Sequence, residues 1–408
     1  MVALSVIVFV VTYLGMGLGR IPGLAVDRTG VALLGLIVLL AAGDLTLEEA
    51  GRAIDIPTIA LLFALMILSA QFEYSGFYGW VADRLTHAVS SPKALLAVLI
   101  LVTGALSALF TNDVVVFALT PLVVGGLASH KCDPRPYLIA LAGAANAGSA
   151  ATLIGNPQNI LIGQAGGLDF WHYLLFALPP TILSLIVIYF AVVLTWRLDV
   201  AENGSADSLR SPQIDPFQIA KAILATAALI ILFLTSIPRE LSALAVAGVL
   251  LLSRKLSSRD MIGAVDWHLL LLFACLFGVT TAFAKTGVSQ DGLNFLAAHG
   301  LLPSRLSVMA PVTLAASNTI GNVPAVILII KLIPNLSDSA LTGLALLSTL
   351  AGNLLLTGSM CNIIVAERAA NAGARLSFLD FARSGIPITL ASLAITAAWL
   401  LSTGGMVF

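Results

Sequence analysis

The sequence is poor in charge. Only 10% of its 408 residues are Asp, Glu, Lys or Arg, against about 25% in soluble globular chains. Acids and bases nearly cancel, leaving a net charge of −1, so bulk charge selects no partner. The lack of a basic patch interleaved with aromatics argues against nucleic acid. Cysteine is scarce as well. Cys132, Cys275 and Cys361 form no CxxC pair and no metal-ligand spacing. The last two sit in apolar runs and read as small core residues. Polar linkers are rare: only residues 197–217 have the composition of a solvated loop. No loop is long enough to hold a further domain.

Apolar surface fills the chain instead. Hydrophobic residues make up 59% and the mean hydropathy is +1.02. Many apolar runs approach the roughly 20 residues that a membrane helix needs. The chain therefore reads as an all-α polytopic membrane protein. Residues 2–19 lack the basic leader of a signal peptide and run into Arg20-Ile-Pro, so they read as the first membrane helix. Further spans are expected at 29–43, 56–72, 173–196, 218–235, 240–253, 267–284 and 383–403. Residues 77–87, and more weakly 288–299, read as interfacial amphipathic helices.

Two apolar–polar–apolar units stand out, at 92–128 and 304–334. The first centres on Ser107 and Phe110-Thr111-Asn112-Asp113, the second on Ser317-Asn318-Thr319-Ile320-Gly321-Asn322. Two long spans, 136–166 and 340–366, are broken at Gly155-Asn156-Pro157-Gln158-Asn159 and at Gly358-Ser359-Met360-Cys361-Asn362. These features come in the same order in both halves, with Asp55 answering Asp266 and Gly76 answering Gly287. The expected organisation is a first repeat over 1–196, a cytoplasmic linker over 197–217 and a second repeat over 218–408. Each repeat has one re-entrant hairpin and one broken helix. If each hairpin enters and leaves on one side, each half crosses five times and the halves are inverted. Fifteen of the 20 Lys and Arg, Arg20, Arg28, Lys131 and Arg210 among them, then share one face. Only Arg52, Arg239, Lys285, Arg305 and Lys331 fall on the other. Positive residues stay in the cytoplasm, which puts both termini outside, the first hairpin opening inward and the second outward.

Non-helical backbone at membrane depth is tolerated only where protein or a wet cavity satisfies it. Four breaks gathered around one cavity would offer helix N-termini suited to an anion. They would also offer Asn side chains and carbonyls suited to a cation such as Na⁺, with Asn112 and Asn322 the first candidates. The central motifs hold no Lys, Arg or His, so an anion is expected to be held by dipoles and neutral hydrogen bonds. Asp113 is the only acid between Asp83 and Asp133. An ionisable residue in such a place is a functional candidate by default, here to carry a proton or pair with a cation. The competing reading keeps Ser, Thr and Gly as packing residues and Asp113 as a helix cap.

The runs Phe110-Thr-Asn-Asp-Val-Val-Val-Phe-Ala-Leu-Thr-Pro121, Thr152-Leu-Ile-Gly-Asn-Pro-Gln-Asn159 and Ser317-Asn-Thr-Ile-Gly-Asn-Val-Pro324 resemble the ion transporter superfamily. Within it they are similar to the arsenite/anion permease and citrate-transporter-like branch. The resemblance covers nearly the whole chain. It implies a dimer with a scaffold and a mobile transport domain that moves like an elevator. It also implies binding residues at Thr111, Asn112, Asn156, Asn159, Ser317, Asn318, Thr319, Asn322, Ser359 and Asn362, with Asp113, Gly155 and Gly358 serving ion coupling. Sodium–dicarboxylate members carry Ser-Asn-Thr at both hairpin tips; here only residues 317–319 do, and the Asn-Asp of the first tip looks more like the arsenite permease type.

The expected function is secondary active transport of a small inorganic or organic anion, coupled to H⁺ or Na⁺ with no other cofactor. The expected setting is a bacterial-type cytoplasmic membrane, and the expected form a homodimer. A sodium/proton antiporter is the first alternative. An intramembrane enzyme on a lipid-linked substrate is a distant one, since Asp113 has no partner His, Glu or Lys in the central motifs.

Overall fold

The computed structural model describes residues 2–18, 25–88, 91–129, 132–198, 214–300, 302–333 and 335–406. Most of the 197–217 linker, with Arg20, Lys131 and Arg210, lies outside the described residues.

The regular elements among the described residues are helices. The first half runs α1 (Val2–Leu18), α2 (Arg28–Ala41), α3 (Leu47–Ala53), α4 (Ile56–Tyr74), α5 (Phe77–Ala88), α6 (Pro92–Leu109), α7 (Asn112–Ser129), α8 (Arg135–Ser149), α9 (Pro157–Ala165) and α10 (Phe170–Thr195). The second runs α11 (Pro216–Leu232), α12 (Arg239–Leu251), α13 (Ser258–Gly263), α14 (Trp267–Ala284), α15 (Val288–Ala298), α16 (Leu306–Ile320), α17 (Asn322–Leu332), α18 (Asp338–Ala351), α19 (Met360–Asn371) and α20 (Phe378–Ser402). A single 3-10 turn, Leu356–Gly358, lies between α18 and α19. Five of these helices are long and apolar enough to cross a membrane by length and composition: α4, α6, α10, α14 and α20.

Local chemistry explains the boundaries. Asp55 and Asp266 cap α4 and α14 through nearly the same backbone angles, accepting from Thr58 N–H at 3.0 Å and Leu269 N–H at 2.9 Å. A side-chain oxygen there satisfies a donor that has no intrahelical partner. Gly76 and Gly287, at φ +77° and +78°, turn the chain into α5 and α15. The short helices α3 and α13 were not foreseen from hydropathy, because they are too short to leave a periodic signal. Their caps announce them: Thr46 and Glu49 form a reciprocal capping box, and Ser257 accepts from Asp260 N–H. The last helix starts five residues before its apolar run, at a capping box of Ser377 and Asp380.

Two broken helices form the centre. Every residue of α8 from Pro136 to Ser149 is buried, and α18 is buried from Leu341 to Ala351 apart from Thr342. Their sequences are rich in Ala, Gly, Ser and Thr, which lets neighbouring backbones come close. The hairpin arms α6/α7 and α16/α17 pack around them. The outer layer of α1, α2, α10, α11, α12 and α20 keeps large apolar side chains exposed, such as Leu14, Leu175, Leu194, Leu224 and Leu390. That is the pattern of a surface facing lipid rather than water.

The first hairpin turns within two residues, Phe110 and Thr111. At 18 residues each, its arms are about 27 Å long, so length alone does not separate a hairpin from two crossings. Burial of the tip does bear on it. Thr111 is 2% exposed and Asn112 3%, and the tip is enclosed by the break of the α8–α9 segment.

Candidate functional site

Each hairpin tip docks on the broken segment of its own half. The Asn112 N–H, first in α7, donates to the Gly155 carbonyl at 2.9 Å. Gly155 permits this approach, since a Cβ there would lie 2.8 Å from the Ser107 carbonyl oxygen. In the second half, Asn318 Nδ2 donates to the carbonyls of Leu314 and Ala351, both at 2.9 Å. Gly358 packs against the same Asn318 side chain.

One asparagine joins the halves. Asn146, fully buried in α8, accepts from Asn112 Nδ2 at 3.2 Å and from Ser359 Oγ at 3.0 Å. Its own Nδ2 donates to Asn353 Oδ1 at 2.8 Å and Asn362 Oδ1 at 3.0 Å. Asn146 was absent from the expected site, and Asn353 figured there only as part of a helix break. The available signal for Asn146 was a lone amide inside an otherwise apolar and small-residue run.

Beside this hub lie two chambers that share Asp113, Pro157 and Leu269. The smaller, of about 40 Å³, is lined among others by Arg28, Asn112, Asn322 and Ser359. The larger, of about 200 Å³, is lined among others by Thr111, Glu73, Asp266 and Phe117. Asp113 lines both. Cys361 is buried, as its apolar run suggests. Thr111 Oγ1 and both amide atoms of Asn322 have no hydrogen-bond partner among the described residues. The same holds for Ser69 Oγ, Ser107 Oγ and Asn318 Oδ1.

The chambers gather Thr111, Asn112, Asp113, Asn322 and Ser359 from the expected set. The other expected residues stand elsewhere. Asn156 Oδ1 caps α9 on the Asn159 N–H at 2.8 Å, and its Nδ2 donates to Ser149 and Thr349. Asn159 donates to the Thr152 carbonyl and the Tyr173 hydroxyl and accepts from Thr349. Asn362 donates to the Gly352 and Leu355 carbonyls. Ser317 donates to the Ser348 carbonyl. These side chains hold the wall together. Thr319 is bonded back to Ala315 on its own helix, with its carbonyl against Gly17 of α1.

The central motifs hold no basic residue, but Arg28, outside them at the start of α2, lines the smaller chamber. It comes there because α2 packs along α14, where the Thr29 hydroxyl meets the His268 carbonyl at 3.4 Å. That packing sets Arg28 beside Gly321 at the second hairpin tip.

The fold is all-helical among the described residues, with helices long and apolar enough to cross a membrane and two helix breaks beside the chambers; the class of protein is a membrane transporter, as its relatives show. Residues 7–341 match the citrate transporter family, CitMHS, and the chain belongs to that family. It is 28% identical to the uncharacterized transporter Rv2684 of Mycobacterium tuberculosis, covering 98% of both chains. It is 27% identical to the silicon efflux transporter LSI3 of Oryza sativa subsp. japonica, covering 92% of both. It is 23% identical to the putative transporter arsB of Dictyostelium discoideum, covering 90% of this chain and 86% of that one. In fold it is similar to the YdaH transporter of Alcanivorax borkumensis, a structure described as having an unusual topology. The TM-score is 0.56 at 16% identity, over 99% and 98% of the two chains.

Proposed function

We propose that this integral membrane transporter is a secondary active carrier of a small inorganic or organic anion, driven by H⁺ or Na⁺. The observation that carries the reading is the joining of the first hairpin tip to the broken segment of the second half through Asn146, next to two chambers that both have Asp113 in their lining. The solute sits between Asn112, Asn322 and Ser359, against the N-termini of α7 and α17. Asp113 is the coupling residue, taking the proton or pairing with the cation. Hairpins and broken helices bond to one another as a unit, which supports an elevator motion against α1, α2, α4, α11, α12 and α14. The reading includes inverted repeats split at 197–217, both termini outside, a bacterial-type cytoplasmic membrane and a homodimer. Because one relative is named a silicon efflux transporter and the first hairpin tip looks like the arsenite permease type, silicon and arsenic oxyacids join citrate among the solutes to test. Kinship with transporters leaves the enzyme reading without support.

Glu73, Asp113 and Asp266 all line the larger chamber, and this grouping of acids favours the second reading, a sodium/proton antiporter. Flux in proteoliposomes separates the two. A pH gradient is imposed over an internal pH dye, and arsenite, phosphate, sulfate, citrate, succinate and Na⁺ are added singly. Anion-triggered collapse of the gradient that is lost in Asp113→Asn is expected. Collapse with Na⁺ alone would replace anion coupling by antiport, and an unaltered pH dependence in Asp113→Asn would remove the coupling role.

A further inference from the structure

Arg28 is placed against the electrostatics of its surroundings. It is the first residue of α2, where the helix dipole already presents positive charge. Its guanidinium Nη1 lies 3.8 Å from where a Cβ on Gly321 would stand, at the N-terminus of α17. Two helix N-termini and a guanidinium thus converge on one 40 Å³ chamber. Arg28 makes no hydrogen bond or ion pair among the described residues. The neighbouring Asp27 is spent on capping α2, accepting from Gly30 N–H at 2.8 Å. On the same chamber Asn322 is 6% exposed, and its amide nitrogen and oxygen are both unpartnered. A buried polar group without a partner is costly, and a partly buried charge more so. What would satisfy all of these groups at once is a compact anion with several acceptor oxygens.

We propose that Arg28, Asn322 and the N-terminus of α17 form an oxyanion subsite, in which Arg28 selects charged over neutral solutes. The proposal rests on the anion-carrier reading above and deepens it. The ligand is one carboxylate group or one inorganic oxoanion; a guanidinium fork suits either. Arg28 belongs to a helix outside the hairpins and broken helices, whereas Asn322 belongs to a hairpin. In an elevator the anion would therefore touch Arg28 at one end of the cycle only, so Arg28 biases binding and release on that side.

The test compares wild type, Arg28→Gln and Arg28→Lys. Purified full-length proteins are melted in detergent with citrate, succinate, phosphate or sulfate, and with arsenous and orthosilicic acid as neutral controls. Uptake of the same solutes is measured in proteoliposomes. Carboxylates and inorganic oxoanions form separate arms, and the arm that stabilises wild type names the source. For that anion Arg28→Gln is expected to lose the thermal stabilisation and to raise KM by about ten- to hundredfold, the loss of a hydrogen bond to a charged group. Arg28→Lys is expected to fall between. Without ligand, Arg28→Gln should melt at or above wild type, because it removes an unpaired charge. Anion uptake by wild type with the same KM in Arg28→Gln would overturn the subsite and leave the anion carrier standing. Uptake of neutral acids alone, equal in wild type and variant, would overturn both. A lowered melting point of ligand-free Arg28→Gln, with the anion KM unchanged in Arg28→Lys, would make Arg28 a structural residue and overturn the subsite.

Discussion

Replacing Asn146 by alanine should loosen the centre of the protein from both halves at once. The substitution deletes four buried hydrogen bonds, to Asn112, Ser359, Asn353 and Asn362, at 2.8–3.2 Å. Side-chain hydrogen bonds inside membrane proteins average about 0.6 kcal/mol each. A buried polar atom left without a partner costs about 1–3 kcal/mol. Water entering from the adjacent chambers relieves part of this, and the net loss is about 2–4 kcal/mol. For a chain this long, at about 2 °C per kcal/mol, the melting point should fall by roughly 4–8 °C. The assay is intrinsic fluorescence on heating in detergent, beside Asn294→Ala. Asn294 is exposed and among the described residues accepts from Gln290, so its loss should leave the melting point unchanged. Transport should fall with Asn146→Ala as well, because Asn112 and Ser359 lose the partner that orients them. An Asn146→Ala protein that melts within about 1 °C of wild type and keeps its KM would refute the hub.

Gly155→Ala should cost about 1–3 kcal/mol as overpacking, since its Cβ would meet the Ser107 and Ser149 carbonyls; the same melting assay checks this, and an unchanged melting point would mean the hairpin tip is not held there. Gly321→Ala should destabilise by about 1–2 kcal/mol, because φ is +95° at the second tip; a variant as stable as wild type would show that this turn relaxes freely. Outside the membrane spans, the Glu49 carboxyl is held down to about 2, first by its hydrogen bond from Lys285 and then by Thr46. A folded-state value below the ordinary 4.5 adds stability above that pH and loses it as pH falls towards 2. The small melting-point deficit of Lys285→Ala at pH 7 should therefore vanish at low pH and shrink in salt. A deficit independent of pH would point to packing instead.

The sequence by itself determined where the helices run and where they break. Hydropathy and caps act over a few residues, so the apolar runs, Asp55 and Asp266, the turns at Gly76 and Gly287 and the tips at 110–113 and 317–322 were all legible. It also marked Asp113 as the one acid between Asp83 and Asp133, inside an apolar run. Tertiary structure alone decided which polar groups are free. Asn156, Asn159 and Asn362 look like binding residues in the motif, yet they are consumed by Ser149, Thr349, Tyr173 and nearby carbonyls. Asn322 in a matching motif is left open. Arg28 and Glu73 belong to no motif and arrive at the chambers on α2 and α4. The physical reason is range. Helix formation is set by neighbours three and four residues away, but Asn146 meets Asn353 across 207 residues. Only the packing of the two halves says whether an amide faces a carbonyl or a solute.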